Sequence, residues 1–90
     1  MAIKPIGADG YENILHYVAG RRYGYMSELK PFGEEAINAI KSVGFLKTGY
    51  TMEAETFGAT DLLKNFYIAV YGKAKYIKQR IKSVVKHKKV

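Results

Sequence analysis

Few residues in this chain are equipped for bond-making chemistry, and none of them stands in a working arrangement. There are two histidines, His16 and His87, and no cysteine. Neither histidine has a carboxylate and a second histidine at metal-ligand spacing. Ser27, Ser42 and Ser83 lack a neighbouring base, and no glycine-rich phosphate loop follows a strand. Without cysteine, disulfides, thiolate zinc sites and thiol nucleophiles are all excluded. The sequence therefore predicts no enzyme, no metal and no cofactor. His16 reads as a packed or solvent-edge residue of a helix. The chemistry on offer is recognition: Arg21, Arg22, Tyr23 and Tyr25 interleave charge with aromatic rings. That pattern occurs where nucleic acid is bound and equally where tyrosines cover the edge of a small core.

The charge distribution sharpens this. The formal net charge is +7. Residues 1–61 hold six basic side chains and all eight acids, whereas residues 62–90 hold nine Lys or Arg and no acid. The first part is thus slightly acidic, and the basicity belongs to the last third. An acid-free basic block suits a polyanion, either nucleic acid or an anionic membrane. The basic end His87-Lys88-Lys89 is also compatible with a solvated charge run.

Positioning such residues takes a fold, and 90 residues allow one small domain. Hydrophobic residues make up 48% of the chain and aromatic ones 13%, too much apolar mass for a disordered segment. No run approaches the ~20 apolar residues of a membrane span, and Met1–Gly10 lacks an apolar signal core. A soluble, cytoplasmic protein is expected. A lone core of this size is marginal, which favours a partner subunit.

The elements follow from spacing. Asp9-Gly-Tyr-Glu12 carries an N-cap signature, and Tyr11, Ile14, Leu15 and Val18 then fall on one helical stripe. Gly20 is the expected stop, with 21–25 a connector. Ser27 opens a short second helix through Leu29, limited by Pro31. After the Gly33 turn, Glu34 and Glu35 start a third helix that buries Ala36, Ile37, Ile40 and Val43. Phe45 to Thr60 reads as a hairpin of two short strands around Glu53-Ala54-Glu55, with Gly49 and Gly58 as bends. From Thr60 or Asp61 onward a single long helix is predicted. Its seam Leu63, Tyr67, Val70, Ala74, Ile77, Ile81, Val84 keeps the spacing of helix–helix pairing. Leu62, Phe66 and Ala69 would face the globular part. Tyr71 and Tyr76 flank the seam, and Gly72 is its weak point.

In that order of elements the chain resembles winged helix-turn-helix domains across residues 9–71. The resemblance is carried by the short Ser27–Leu29 helix, the Gly33 turn and Ala36-Ile-Asn-Ala-Ile-Lys-Ser-Val-Gly-Phe-Leu46. It extends through Gly58-Ala-Thr-Asp-Leu-Leu63. In particular the chain looks like small archaeal winged-helix proteins with a C-terminal dimerisation helix. These include PadR-like regulators and the site-binding adaptors of crenarchaeal plasmid partition. The resemblance implies an α+β fold, mainly α with a small β-hairpin, in a single domain: 9–60 would be the helix-turn-helix plus wing, and 61–90 the C-terminal helix and basic tail. It also implies that the third helix enters the major groove, so that Asn38, Lys41 and Ser42 face bases. Lys30, Lys47 and Tyr50 would reach phosphates, joined by Arg21 and Arg22. The acids Glu34, Glu35, Glu53 and Glu55 depart from the family pattern.

The expected protein is accordingly a homodimer that binds double-stranded DNA at a palindromic or repeated site. It would act as a transcription regulator or as a plasmid or chromosome partition protein. Val70, Ala74, Ile77, Ile81 and Val84 would form the dimer interface. The alternative is a protein-interaction module whose basic amphipathic helix meets an acidic partner or a membrane surface.

Overall fold

In the computed structural model, residues 9–88 are described, with side chains from Tyr11 to Val84. The Asp9 cap and the basic end His87-Lys88-Lys89 lie outside the described side chains. The order is α1 (Asp9–Arg21), β1 (Tyr23–Tyr25), a 3₁₀ helix (Met26–Phe32), α2 (Glu34–Ser42), β2 (Leu46–Tyr50), β3 (Glu55–Ala59), α3 (Asp61–Tyr71) and α4 (Lys73–Lys88). The chain is mainly helical with a small antiparallel sheet, an α+β architecture.

The core forms where the predicted stripes meet. Ile14, Leu15 and Val18 of α1 are buried against Leu29, Ala36, Ile37 and Ile40. Leu46, Phe57 and Ala59 of the sheet and Leu63 of α3 close the same cluster. Thr60 caps α3, its hydroxyl accepting from Leu63 N–H at 3.3 Å and donating to the Gly44 carbonyl at 2.7 Å. That pair of bonds ties the hairpin exit to the end of α2. Val43, expected inside, is 48% exposed because α2 has already ended at Ser42.

The sheet has three strands in the order β1-β3-β2. The segment 21–25, read from sequence as a connector, contributes the edge strand, pairing Tyr23 with Gly58 and Tyr25 with Thr56. Three residues are too few to show a period, so only the pairing reveals this strand. Gly49 and Gly58 are not bends: both lie inside strands, opposite Thr56 and Lys47. The hairpin instead turns at 51–54, where Thr51 N–H donates to the Ala54 carbonyl at 2.9 Å.

Two further expectations change. Gly20 does not stop α1: the helix runs to Arg21, and Arg22 takes the left-handed conformation at φ 68°. Gly20 is needed for close approach. A Cβ there would sit 2.6 Å from the backbone oxygen of Gln79 in α4.

The long C-terminal helix is also broken. Gly72, at φ 96° and ψ 152°, separates α3 from α4, a conformation open essentially to glycine alone. After this turn α4 folds back along α1 and does not project away. The seven-residue seam leaves the core after Tyr67, ahead of the break. Leu63 and Tyr67 are core residues, while Val70, Ala74, Ile77, Ile81 and Val84 are exposed. Leu62, Phe66 and Ala69 face outward, opposite to the sequence expectation.

Candidate nucleic-acid interface

The outer face of α2 is built by subtraction. Ala36, Ile37 and Ile40 consume the inner face, so Glu34, Glu35, Asn38, Lys41 and Ser42 share the exposed side. Asn38, Lys41 and Ser42 lie three and four residues apart and so adjoin on the helix surface. The Ser42 hydroxyl donates back to the Ala39 carbonyl at 3.0 Å, which holds it close to its own helix. Gly33, at φ 96°, is the N-cap of α2 and supplies no side chain to the first turn. Lys30 is exposed in the last turn of the 3₁₀ helix that leads into it.

The hairpin separates two residues that the sequence placed together. Lys47 lies across from Gly58, and Tyr50 lies across from Glu55. In a strand, odd spacing puts them on opposite faces. Lys47 is on the outer face, its aliphatic stem 3.4 Å from where a Gly58 Cβ would be. Tyr50 is on the face of Leu46 and Thr48, but beyond the core at the tip, 80% exposed. At the tip, the Tyr25 hydroxyl donates to Glu53 at 3.1 Å, linking the edge strand to the hairpin turn.

Arg21 and Arg22 are engaged within the fold. Arg21 Nε and Nη2 donate to the two Glu28 oxygens at 2.9 and 3.0 Å, a fork-to-fork pair. Glu28 also accepts from the Tyr17 hydroxyl at 2.7 Å and from Tyr25 N–H at 3.2 Å. The Arg21 hydrogen bonds, aided by Tyr17 and the Tyr25 amide, pull the Glu28 carboxyl down to about 2. Burial and that same carboxylate push the Tyr17 hydroxyl up to about 12. The carboxylate sits over Gly24, where a Cβ would meet it at 2.7 Å. Arg22 Nη1 donates to the Tyr76 hydroxyl at 2.9 Å. Both arginines thus fasten α1 to its neighbours. Their partners, Glu28 and Tyr76, are seven and 54 residues away.

The tyrosines expected beside a subunit seam are also internal. Tyr76 is buried with Ala19 and Tyr67. The Tyr71 hydroxyl donates to Glu12 at 3.1 Å. Between them His16 bonds through Nδ1 to the Tyr67 hydroxyl, and its Nε2 lies 3.7 Å from Glu12. Burial, with Lys75 nearby, lowers the His16 pKa below its ordinary value, and burial raises Tyr67 to about 12. Among the described residues no group of three or more His, Asp or Glu is placed to hold a metal ion.

Helix α4 carries the acid-free charge. Tyr76, Gln79, Arg80 and Ser83 form the side turned to the rest of the molecule, and Arg80 Nη1 donates to the Gly20 carbonyl at 2.6 Å. Ala74, Ile77, Ile81 and Val84 form an exposed apolar stripe. The helix is docked inside out, polar face in and apolar face out. No described helix is long and apolar enough to cross a membrane. In comparisons with protein families, curated proteins and solved structures, none matches this chain.

Proposed function

We propose that this chain is a winged helix-turn-helix protein that binds duplex DNA as a homodimer. The observation that carries the reading is the outer face of α2. It is a short helix with its apolar side fully used by the core and Asn38, Lys41 and Ser42 exposed beside one another. The element order supports it: a helix, an edge strand, a short helix, α2, and a hairpin whose second strand pairs with that edge strand. In this reading α2 lies in the major groove, with Asn38 on adenine and Lys41 on guanine. Glu34 and Glu35 keep phosphates away from the start of α2 and can accept from cytosine N4. Lys30 and Tyr50 then reach the flanking backbone. Lys47, on the outer sheet face, serves only a backbone that curves around the hairpin.

The apolar stripe of α4 gives the second half of the reading. Ala74, Ile77, Ile81 and Val84 pair with the same residues of a second copy about a two-fold axis, together with Val70. The cellular role is regulation of a promoter or marking of a partition site, since both use the same physics. The test is binding to random and genomic duplexes near 50 and 200 mM salt. Phosphate-driven binding lowers log K with a slope of about −0.9 per contact. Footprinting on the DNA that flanks the gene should protect a repeated or palindromic element. A chain that binds no duplex at 50 mM salt would overturn the reading.

A further inference from the structure

The basic ridge of α4 and the outer face of α2 lie on different sides of α1. On α1, the residues that meet α2 and the sheet are Ile14, Leu15 and Val18. Those that meet α3 and α4 are Glu12, His16, Ala19 and Gly20. At 100° per residue these two faces are roughly 140° apart. Helix α1 is therefore sandwiched, with α2 on one side and α4 on the other. At helix packing distances of 8–10 Å, the axes of α2 and α4 are on the order of 15–20 Å apart. A duplex seated on the outer face of α2 has the core and α1 between it and α4.

Helix α4 nevertheless concentrates charge. Lys75, Lys78 and Lys82, at i, i+3 and i+7, form one exposed ridge. The ridge lies roughly a third of a turn from the docked face and as far from the apolar stripe. No acid occurs anywhere in residues 62–90 to neutralise it. Lys75 Nζ also sits 5.9 Å over the Tyr71 ring, which steadies it at the surface. Nothing about docking α4 requires this ridge: α4 is fastened through Tyr76, Gln79 and Arg80. Glu12 of α1, bonded to Tyr71, is the acid on the Lys75 side, and a ridge of three exposed ammonium groups fits a regular line of phosphates.

We infer that the Lys75–Lys78–Lys82 ridge is a second polyanion surface, which holds a second duplex segment while α2 holds the first. The inference rests on the DNA reading above and deepens it: the protein bridges two lengths of DNA. Charge complementarity selects a duplex, and a ridge of point charges that follows the phosphates makes this second contact sequence-independent.

The experiment uses the full chain, a bead-bound duplex carrying the protected site, and a free labelled duplex of random sequence. Wild type should capture the free duplex. K75Q/K78Q/K82Q should keep its affinity for the single protected site within about threefold and lose at least tenfold in capture. Its capture should also lose salt dependence by a slope of about 2.7, three contacts at 0.9 each. These three side chains are exposed, and an unchanged circular dichroism melt will show that the variant folds. Capture that persists in the triple variant but vanishes in I77K/I81K would place the two duplexes on two subunits' α2 helices and overturn the inference. Wild-type failure to capture, with ridge-dependent binding to vesicles of one-third phosphatidylglycerol, would overturn it in favour of an anionic lipid surface. Failure of the underlying reading looks different. There, N38A/K41A leaves single-site binding unchanged, whereas the triple glutamine variant abolishes it.

Discussion

Glu28 holds the guanidinium of Arg21, the hydroxyl of Tyr17 and the amide of Tyr25 with one carboxylate. It thereby joins α1, the 3₁₀ helix and β1 at the point where the sheet begins. Its folded pKa lies below the unfolded value, so the stability it contributes is complete above about pH 4.3 and is lost as pH falls through about 2. Glu28→Gln should cost about 1.5–3 kcal/mol, the worth of hydrogen bonds to a charged group. It should also flatten the acid limb of a plot of thermal midpoint against pH. An acid limb of wild-type steepness in that variant would mean that another carboxylate sets it. Asn38 and Lys41 make the opposite kind of prediction, since no part of the core depends on them. Asn38→Ala or Lys41→Ala should leave the melt unchanged and cost about 1–3 kcal/mol on the specific site. Random duplex should be affected much less. Equal losses on both DNAs, measured by anisotropy, would restrict these residues to phosphate contacts.

At the scale of elements, the attachment of α4 is the feature with most consequence. Its inner face is Tyr76, Gln79, Arg80 and Ser83, and only the tyrosine brings appreciable apolar surface. Specific geometry replaces burial here: Gly20 lets the two backbones touch at Gln79, and Arg80 reaches the Gly20 carbonyl. Gly20→Val should push α4 off α1, because its Cβ would meet a backbone oxygen at 2.6 Å and backbone cannot rotate aside. The expected result is loss of amide-exchange protection across 73–84 with α2 and the sheet still protected. Uniform loss of protection would mean that α4 and the core unfold as one unit. Gly72 belongs to the same device. Its positive φ turns the chain back, and a Cβ-bearing residue there would favour the straight helix that periodicity alone predicts.

For the whole molecule, the exposed stripe Ile77, Ile81, Val84 departs from ordinary burial: these side chains are 46%, 58% and 50% exposed. Covering each isoleucine in a dimer should contribute up to about 1.5–3 kcal/mol. Ile77→Lys with Ile81→Lys should therefore sediment as a monomer at micromolar concentration while melting as wild type does, because neither residue supports the fold. Dimers of that double variant would move the interface elsewhere. The exposed side chains Val43, Leu62 and Phe66 are then the place to look.

Much of this molecule is local, and local features were readable in the chain itself. The stripe of α1, the Gly33 turn, the buried face of α2 and the hairpin all follow from periods of a few residues and from residues that cap or break. The short helix expected to stop at Leu29 before Pro31, by contrast, is a 3₁₀ helix that runs through the proline to Phe32. The concentration of charge after residue 61 is likewise a fact of sequence. What tertiary structure alone decided are relations between distant segments. The edge strand β1 exists only because β3 lies beside it. Arg21 and Arg22 looked available for an external anion until the fold brought Glu28 and Tyr76 to them. The C-terminal seam kept a regular spacing across Gly72, and spacing cannot tell a glycine tolerated within a helix from one at φ 96° that ends it. That choice depends on whether α1 offers α4 a surface, here the bare backbone at Gly20. A pattern along one chain fixes which faces are apolar, whereas which of them is covered depends on what the rest of the chain leaves within reach.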